Sequence, residues 1–356
     1  MNKKMLVGVS IFLFVVLASI GNYSIQQMHS GGFYRTSEEV KQLGDVVYYE
    51  EGLYATVTVR ELAPRGYALF INGKPQGSFE IMDLRVNSLL AYLPSMIKPQ
   101  TENALVIGLG TGTTSGQLAQ VSKVTTVEIE PKVIEATNYF KSFNLNILEN
   151  PSHDLIIDDG RNYLLKTKTK YDIIVQEPSD PWQSFSSSLY SKEFFELVKE
   201  DLEEDGLFVK WVPIYTMSPE DFKKFYRTFD SVFPNNIAFA NIKSSEDTPV
   251  KFGTSEIILV GSKSEIGISE EKFIQGYNSL SENSKQYLAN LRLSSGMEVY
   301  HLLLFTSEQM DGYADDAESV TDDRPILEFS TAKNVLNQKP RAVIEDINNF
   351  LGDIDG

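Results

Sequence analysis

Apolar and polar positions follow different rhythms along this chain. After Lys3 and Lys4, residues 5–21 form an apolar run without a charge, and residues 22–44 are polar and read as a linker. From Val46 the runs "DVVYYEEG", "YATVTVRELA" and "GYALFING" are rich in β-branched and aromatic residues, separated by Glu51-Gly52, Pro64-Arg65-Gly66 and Asn72-Gly73. They predict a small antiparallel sheet. "DLRVNSLLAYLPSMI" then carries Leu89, Leu93, Met96 and Ile97 at helical spacing. From Ala104 the short apolar runs "ALVIGLG", "VTTVEIE", "DLIIDDG", "YDIIVQE" and "GLFVKWVP" alternate with helical stretches such as "PKVIEATNYF" and "SKEFFELVKEDL". That alternation predicts a parallel sheet flanked by helices. "NIAFANI" and "EIILVG" close the sheet near Gly261, residues 265–310 read as helical, and "TDDRPILEFS" ends the folded part.

These rhythms divide the chain into a transmembrane anchor or signal-like segment over 1–21, a linker over 22–44 and an N-terminal β domain over 45–80. A strand–helix domain over 81–262 follows, then a helical C-terminal extension over 263–330 and an acidic tail over 331–356. Residues 5–21 are at the short end of what crosses a bilayer, and Ser19 and Gly21 match a signal-peptidase site poorly. The expectation is an uncleaved single-pass membrane protein. Lys3 and Lys4 place its N-terminus in the cytoplasm, a bias weakened by His29, Arg35 and Lys41, which leaves the side of the folded part open.

Composition narrows the chemistry. An apolar fraction of 42% supplies a sizeable core, while a net charge of −17 argues against a nucleic-acid partner held through its phosphates. With no cysteine, thiolate chemistry and disulfides are excluded. His29, His153 and His301 show no metal-ligand spacing, so no metal is expected.

In a doubly wound sheet, ligands bind beyond the carboxyl ends of the strands. There the chain places "GLGTGTT", in which Gly108, Gly110 and Gly112 allow a tight turn, with Thr113 where a dinucleotide fingerprint would want glycine. Glu128 ends the second strand about where an acid would accept ribose hydroxyls. Asp159, before Gly160, ends the third and suits an adenine amino group. No Walker lysine follows the glycines, so the pocket suits a nucleoside without phosphates, such as S-adenosylmethionine or a derivative. The fourth strand ends in "VQEPSDPW", with Glu177 and Asp180 each held before a proline and suited to a cation.

With "VIGLGTGTT", "TTVEIEP", "IIDDGRNYL", "YDIIVQEPSDP" and "SLYSKEFFELVKEDLEEDGLFV" in order, the chain resembles the spermidine synthases, the polyamine aminopropyltransferases, and among them a membrane-linked branch with an "EPS-acid or amide-PW" loop and a late "TDDRP.LEF" segment. The resemblance covers roughly residues 46–330. It implies an α/β fold: a Rossmann-like, seven-stranded methyltransferase-type sheet behind a small N-terminal antiparallel β domain, with 81–262 as the nucleoside-binding catalytic domain. It also implies transfer of an aminopropyl group from decarboxylated S-adenosylmethionine to putrescine or another polyamine. By position, Gly108, Gly110, Thr111, Gly112 and Gly160 would line the donor, Glu128 its ribose and Asp159 its adenine. Asp180 would bind the acceptor amine and Glu177 would be the catalytic base, where the family usually has aspartate. A homo-oligomer is a further possibility.

Three positions depart from the family pattern. Thr111 replaces an aspartate that grips the donor ammonium, Val86-Asn87 replaces a gatekeeper Tyr-Gln pair, and Tyr54-Ala55 replaces a Tyr-Gln pair of the N-terminal sheet. Without the aspartate, repulsion of a donor carboxylate is lifted, which predicts a relative shift towards undecarboxylated S-adenosylmethionine. Two alternatives stay open: an S-adenosylmethionine-dependent methyltransferase, and a non-catalytic nucleoside-binding, membrane-anchored module.

Overall fold

A computed structural model describes residues 44–62, 66–177, 180–240, 256–334 and 340–354. The chain divides into two compact units between Phe79 and Glu80. The first contains a four-stranded antiparallel sheet in sequential order, β1 (Asp45–Glu51), β2 (Thr56–Glu61), β3 (Tyr67–Ile71) and β4 (Lys74–Ser78). Sequence pattern predicted the first three strands but not "KPQGS", whose proline and glycine weaken a strand reading. The hairpin turn makes it one. Asn72 and Gly73 both have positive φ, 50° and 76°, as a turn matched to strand twist requires. Asn72 Oδ1 also accepts the Thr56 N–H at 2.9 Å, tying the turn to β2.

The second unit is built on an eight-stranded mixed sheet in the order β12-β10-β11-β9-β8-β5-β6-β7. Five strands run parallel: β5 (Asn103–Ile107), β6 (Lys123–Glu128), β7 (His153–Ile157), β8 (Tyr171–Gln176) and β9 (Leu202–Val212). β10 (Asn235–Ala240), β11 (Ile257–Ser262) and β12 (Leu303–Thr306) extend it with antiparallel pairings. The expected seven strands are thus eight. The extra one, β12, lies in the stretch read as helical, because a four-residue strand carries no period that separates strand from helix.

Helices α1 (Ile81–Ile97), α2 (Thr113–Leu118), α3 (Pro131–Thr137), α4 (Gly160–Leu164), α5 (Lys192–Asp201) and α6 (Pro219–Val232) lie between the strands. After β11 come α7 (Glu270–Ser279) and α8 (Glu282–Asn290), and after β12 come α9 (Ile326–Asn334) and α10 (Pro340–Ile354). Their starts are chemically specified. Ser191 caps α5, and Ser218 with Asp221 forms a capping box on α6, with Pro219 at the first helical position. Alternation along the strands separates two cores. Val106, Ile173, Val175 and Val209 pack against α1, α7 and α8, whereas Leu105, Ile174 and Phe208 pack against α5, α6, α9 and α10. Each large apolar side chain so buried contributes about 1.5–3 kcal/mol.

Two expectations need correction. The segment read as an acidic tail holds α10, whose Val343, Ile344 and Ile347 are buried in the second core. Glu345 is exposed and Asp346 accepts the Tyr313 hydroxyl at 2.7 Å, so acids and a buried apolar stripe share one helix and overall acidity misled. The single-pass membrane assignment is also corrected to what the described residues carry: among them, no helix is long and apolar enough to cross a membrane. The run over 5–21, at the lower limit for a span of about 30 Å, lies outside the described residues, as does the linker up to residue 43.

Candidate active site

Because β5, β6, β7 and β8 are parallel neighbours, their carboxyl ends lie along one edge of the sheet. The sequence-predicted site residues sit at the strand ends and in the connections that leave that edge. After β5, the Gly108 N–H donates to Val127 O at 2.8 Å and the Gly112 N–H to Leu109 O at 2.7 Å, closing a compact loop. Two glycines in it are required. Gly110 has φ 52° and lies beside Glu177, whose Oε1 would be 3.9 Å from an added Cβ. Gly112 has φ 78°, and a Cβ there would approach Thr137 Cγ2 to 2.9 Å. The loop is held from outside: Thr137 Oγ1 donates to Gly110 O, and Asn144 Nδ2 to Thr111 O at 2.9 Å. Sequence reasoning missed Asn144, which lies far along the chain in no motif. Thr111 is buried, and its hydroxyl pairs with that of Thr113 at 2.9 Å.

Glu128, at the end of β6, spans two backbone donors. Its Oε2 accepts the Leu109 N–H at 2.8 Å and its Oε1 the Glu130 N–H at 2.9 Å. Burial pushes its carboxyl above the usual range, and these N–H donors oppose the rise. Each oxygen keeps a second acceptor site, which suits a diol. Asp159, after β7, caps α4 by accepting the Asn162 N–H at 2.9 Å. Gly160 has a packing reason: a Cβ there would come within 2.5 Å of Ile107 Cγ2 on the central strand. The next residue, Arg161, makes a bidentate pair with Asp322, one branch at 2.7 Å. Asp322 therefore anchors this strand end from the C-terminal segment.

Beyond β8 the loop turns sharply. The Glu177 N–H donates to Ile107 O at 3.2 Å, so this residue continues the sheet by one bond. Its Oε2 is shut off from solvent and has no hydrogen-bond partner among the described residues. Burial, with the nearby Glu128 carboxylate adding to it and Thr114 opposing, pushes the Glu177 carboxyl up to about 8. Thr114 also donates to Asn87 O at 3.0 Å, and both Val86 and Asn87 are buried on α1. Asp180 is fully buried. Its carbonyl accepts the Gln183 N–H at 3.1 Å and the Ser186 hydroxyl at 2.6 Å, locking a tight turn. Burial, and then the Asp180 charge, hold the phenols of Tyr190 and Tyr215 well above their ordinary value.

Behind Tyr190 lies a group that sequence reasoning passed over. Lys210, on β9, is fully buried, with its Nζ 3.6 Å from the Tyr190 ring centroid and donating to Gln176 Oε1 at 2.7 Å. Burial lowers its ammonium well below the usual lysine range. A signal for it was present, since alternation in "LFVKWV" puts Lys210 on the same face as Phe208.

Comparison with known proteins identifies relatives of the chain. Residues 83–252 match the model of the spermine/spermidine synthase domain. The chain is 32% identical over 210 residues to a polyamine aminopropyltransferase of Saccharolobus solfataricus, covering 57% of this chain and 69% of that one. It is 29% identical over 218 residues to polyamine aminopropyltransferase 2 of Aquifex aeolicus, covering 58% of this chain and 41% of that one. Spermidine synthase from Thermotoga maritima has a similar fold, with a TM-score of 0.53, 18% identity and coverage of 85% of this chain and 88% of that one. A spermidine synthase solved in complex with the transition-state analogue AdoDATO gives a TM-score of 0.53 at 22% identity, covering 68% of this chain and 78% of that one. A four-stranded sheet followed by an eight-stranded mixed sheet whose edge gathers glycines and carboxylates, together with these relatives, places the chain in the spermine/spermidine synthase family, as an enzyme of the aminopropyltransferase class.

Proposed function

We propose that this enzyme transfers an aminopropyl-type group from a sulfonium nucleoside, decarboxylated S-adenosylmethionine or S-adenosylmethionine itself, to an amine such as a polyamine. A bound sulfonium supplies an electrophilic carbon whose bond to sulfur breaks as the amine attacks. What the chain must supply is alignment and a proton acceptor. In this reading the loop Gly108, Gly110, Thr111 and Gly112 lines the donor, Glu128 takes the ribose, and Asp159, at the Gly160 turn, the adenine. Asp180 holds the ammonium of the acceptor, and Glu177 receives the proton that the attacking nitrogen releases.

The observation that carries the proposal is Glu177. Its carboxyl is pushed up to about 8, its Oε2 lacks a partner among the described residues, and it faces the glycine loop across Gly110. A base of that strength is matched to deprotonating an amine near neutral pH. Glutamate in place of the family's aspartate adds one methylene, and the Glu177-to-Ile107 backbone bond fixes where that longer arm begins. Glu177→Gln is expected to abolish formation of methylthioadenosine and the alkylated amine while sparing methylthioadenosine binding. Unchanged turnover refutes the role, and S-adenosylhomocysteine as the product instead indicates methyl transfer.

Donor choice follows from Thr111, a buried neutral hydroxyl already paired with Thr113. With no carboxylate at this position, discrimination against the donor carboxylate is expected to weaken. Titration with both donors tests it. A clear preference for the decarboxylated donor that Thr111→Asp leaves unaltered contradicts this reading.

A further inference from the structure

Gln183 closes the turn that begins at Asp180, and its environment is unusual for a glutamine. It is 4% exposed, yet neither Oε1 nor Nε2 has a hydrogen-bond partner among the described residues. An amide buried without partners is destabilising, so its retention calls for a compensating role. The turn ties it to Asp180, which in the transfer reading holds the acceptor. With the Gln183 N–H on Asp180 O, the first and fourth residues lie within about 7 Å at their Cα atoms. Ser186 Oγ donates to both carbonyls, at 2.6 Å to Asp180 and 3.1 Å to Gln183, so the two residues are fixed together.

The chemistry of the two side chains differs. A carboxylate accepts only, and it suits an ammonium. An amide both accepts and donates. A second ammonium at the amide would satisfy Oε1 and leave Nε2 without an acceptor, whereas a methyl group would satisfy neither. A hydroxyl satisfies both. We propose that Gln183 is a specificity-determining residue of the acceptor site, and that the acceptor is an amine bearing a second, uncharged hydrogen-bonding group, of which an amino alcohol is the simplest form. This inference rests on the transfer reading above for the identity of the site, with Asp180 holding the ammonium end.

The test is binding of three amines with the same four-carbon chain to the full chain saturated with methylthioadenosine: 4-aminobutan-1-ol, 1,4-diaminobutane and butylamine. The amino alcohol is expected to bind about tenfold more tightly than butylamine, with the diamine between them. Gln183→Met, which keeps length and removes the amide, is expected to bring the amino alcohol to within about threefold of butylamine. Wild-type protein that binds the amino alcohol and butylamine equally overturns the proposal, as does a variant that weakens all three alike. The wild-type comparison stands even if the variant does not fold. Measuring transfer with the same amines separates the two readings. Discrimination without transfer removes the transferase reading and keeps the role of Gln183; transfer without discrimination does the reverse.

Discussion

At the scale of single residues, two buried ionisable groups carry opposite shifts. Burial raises the Glu177 carboxyl from 4.5 to about 8, so the folded protein binds the proton more tightly than the unfolded chain does. That contribution to stability is lost as pH climbs from about 4.5 through about 8. The catalytic consequence runs the other way, because the base works only when deprotonated. The profile of kcat/KM against pH is expected to rise to a plateau above about 8, reporting the free enzyme. The kcat profile should rise at lower pH, since a bound ammonium favours the carboxylate. Superimposable profiles would remove Glu177 from the acceptor site. Lys210 gives the complementary case. Its ammonium is lowered by burial, so the unfolded chain binds the extra proton, and stability falls as pH drops below the ordinary lysine value of about 10.4. Raising pH from 7 towards 10 is therefore expected to stabilise wild type relative to Lys210→Met, measured by denaturant unfolding at each pH. A parallel pair of curves would show Lys210 to titrate normally.

At the scale of elements, the strand ends were legible and what braces them was not. A glycine run, or an acid at the end of a β-branched stretch, is a local signal, so Gly110, Glu128, Asp159 and Glu177 could be singled out by reading along the chain. Their braces are remote. Asn144 reaches Thr111 from beyond α3, Lys210 reaches Gln176 from the next strand, and Asp322 reaches Arg161 from a distant turn. No period or motif connects those pairs; only the folded sheet does. The Asp322 bridge makes a testable case. Both partners are partly exposed, so losing the pair is expected to cost only about 1 kcal/mol in unfolding free energy. Because Arg161 follows Asp159 and Gly160 directly, Asp322→Asn is expected to weaken methylthioadenosine binding several-fold by calorimetry. Undiminished affinity would make the bridge a matter of stability alone.

At the scale of the molecule, the sheet extends through three antiparallel strands on the side away from β7. α10 then covers the α6 face with Val343, Ile344 and Ile347. That covering was hidden by composition: net acidity says how a surface meets water, not whether one stripe beneath it is apolar. The division between Phe79 and Glu80 falls just where strand rhythm gives way to helical rhythm, a change plain in the sequence. β12 and α10 were harder to read because one is too short to show a period and the other mixes its acids evenly with apolar residues.

The raised Glu177 carboxyl has a thermochemical consequence. Near neutral pH it enters the binding equilibrium largely protonated, and an ammonium docking against it must expel that proton into the medium. The heat of amine binding then contains the buffer's own heat of protonation. Titrated in phosphate and in Tris at one pH, the same amine and the same protein should give two different enthalpies, and the difference counts the protons that leave.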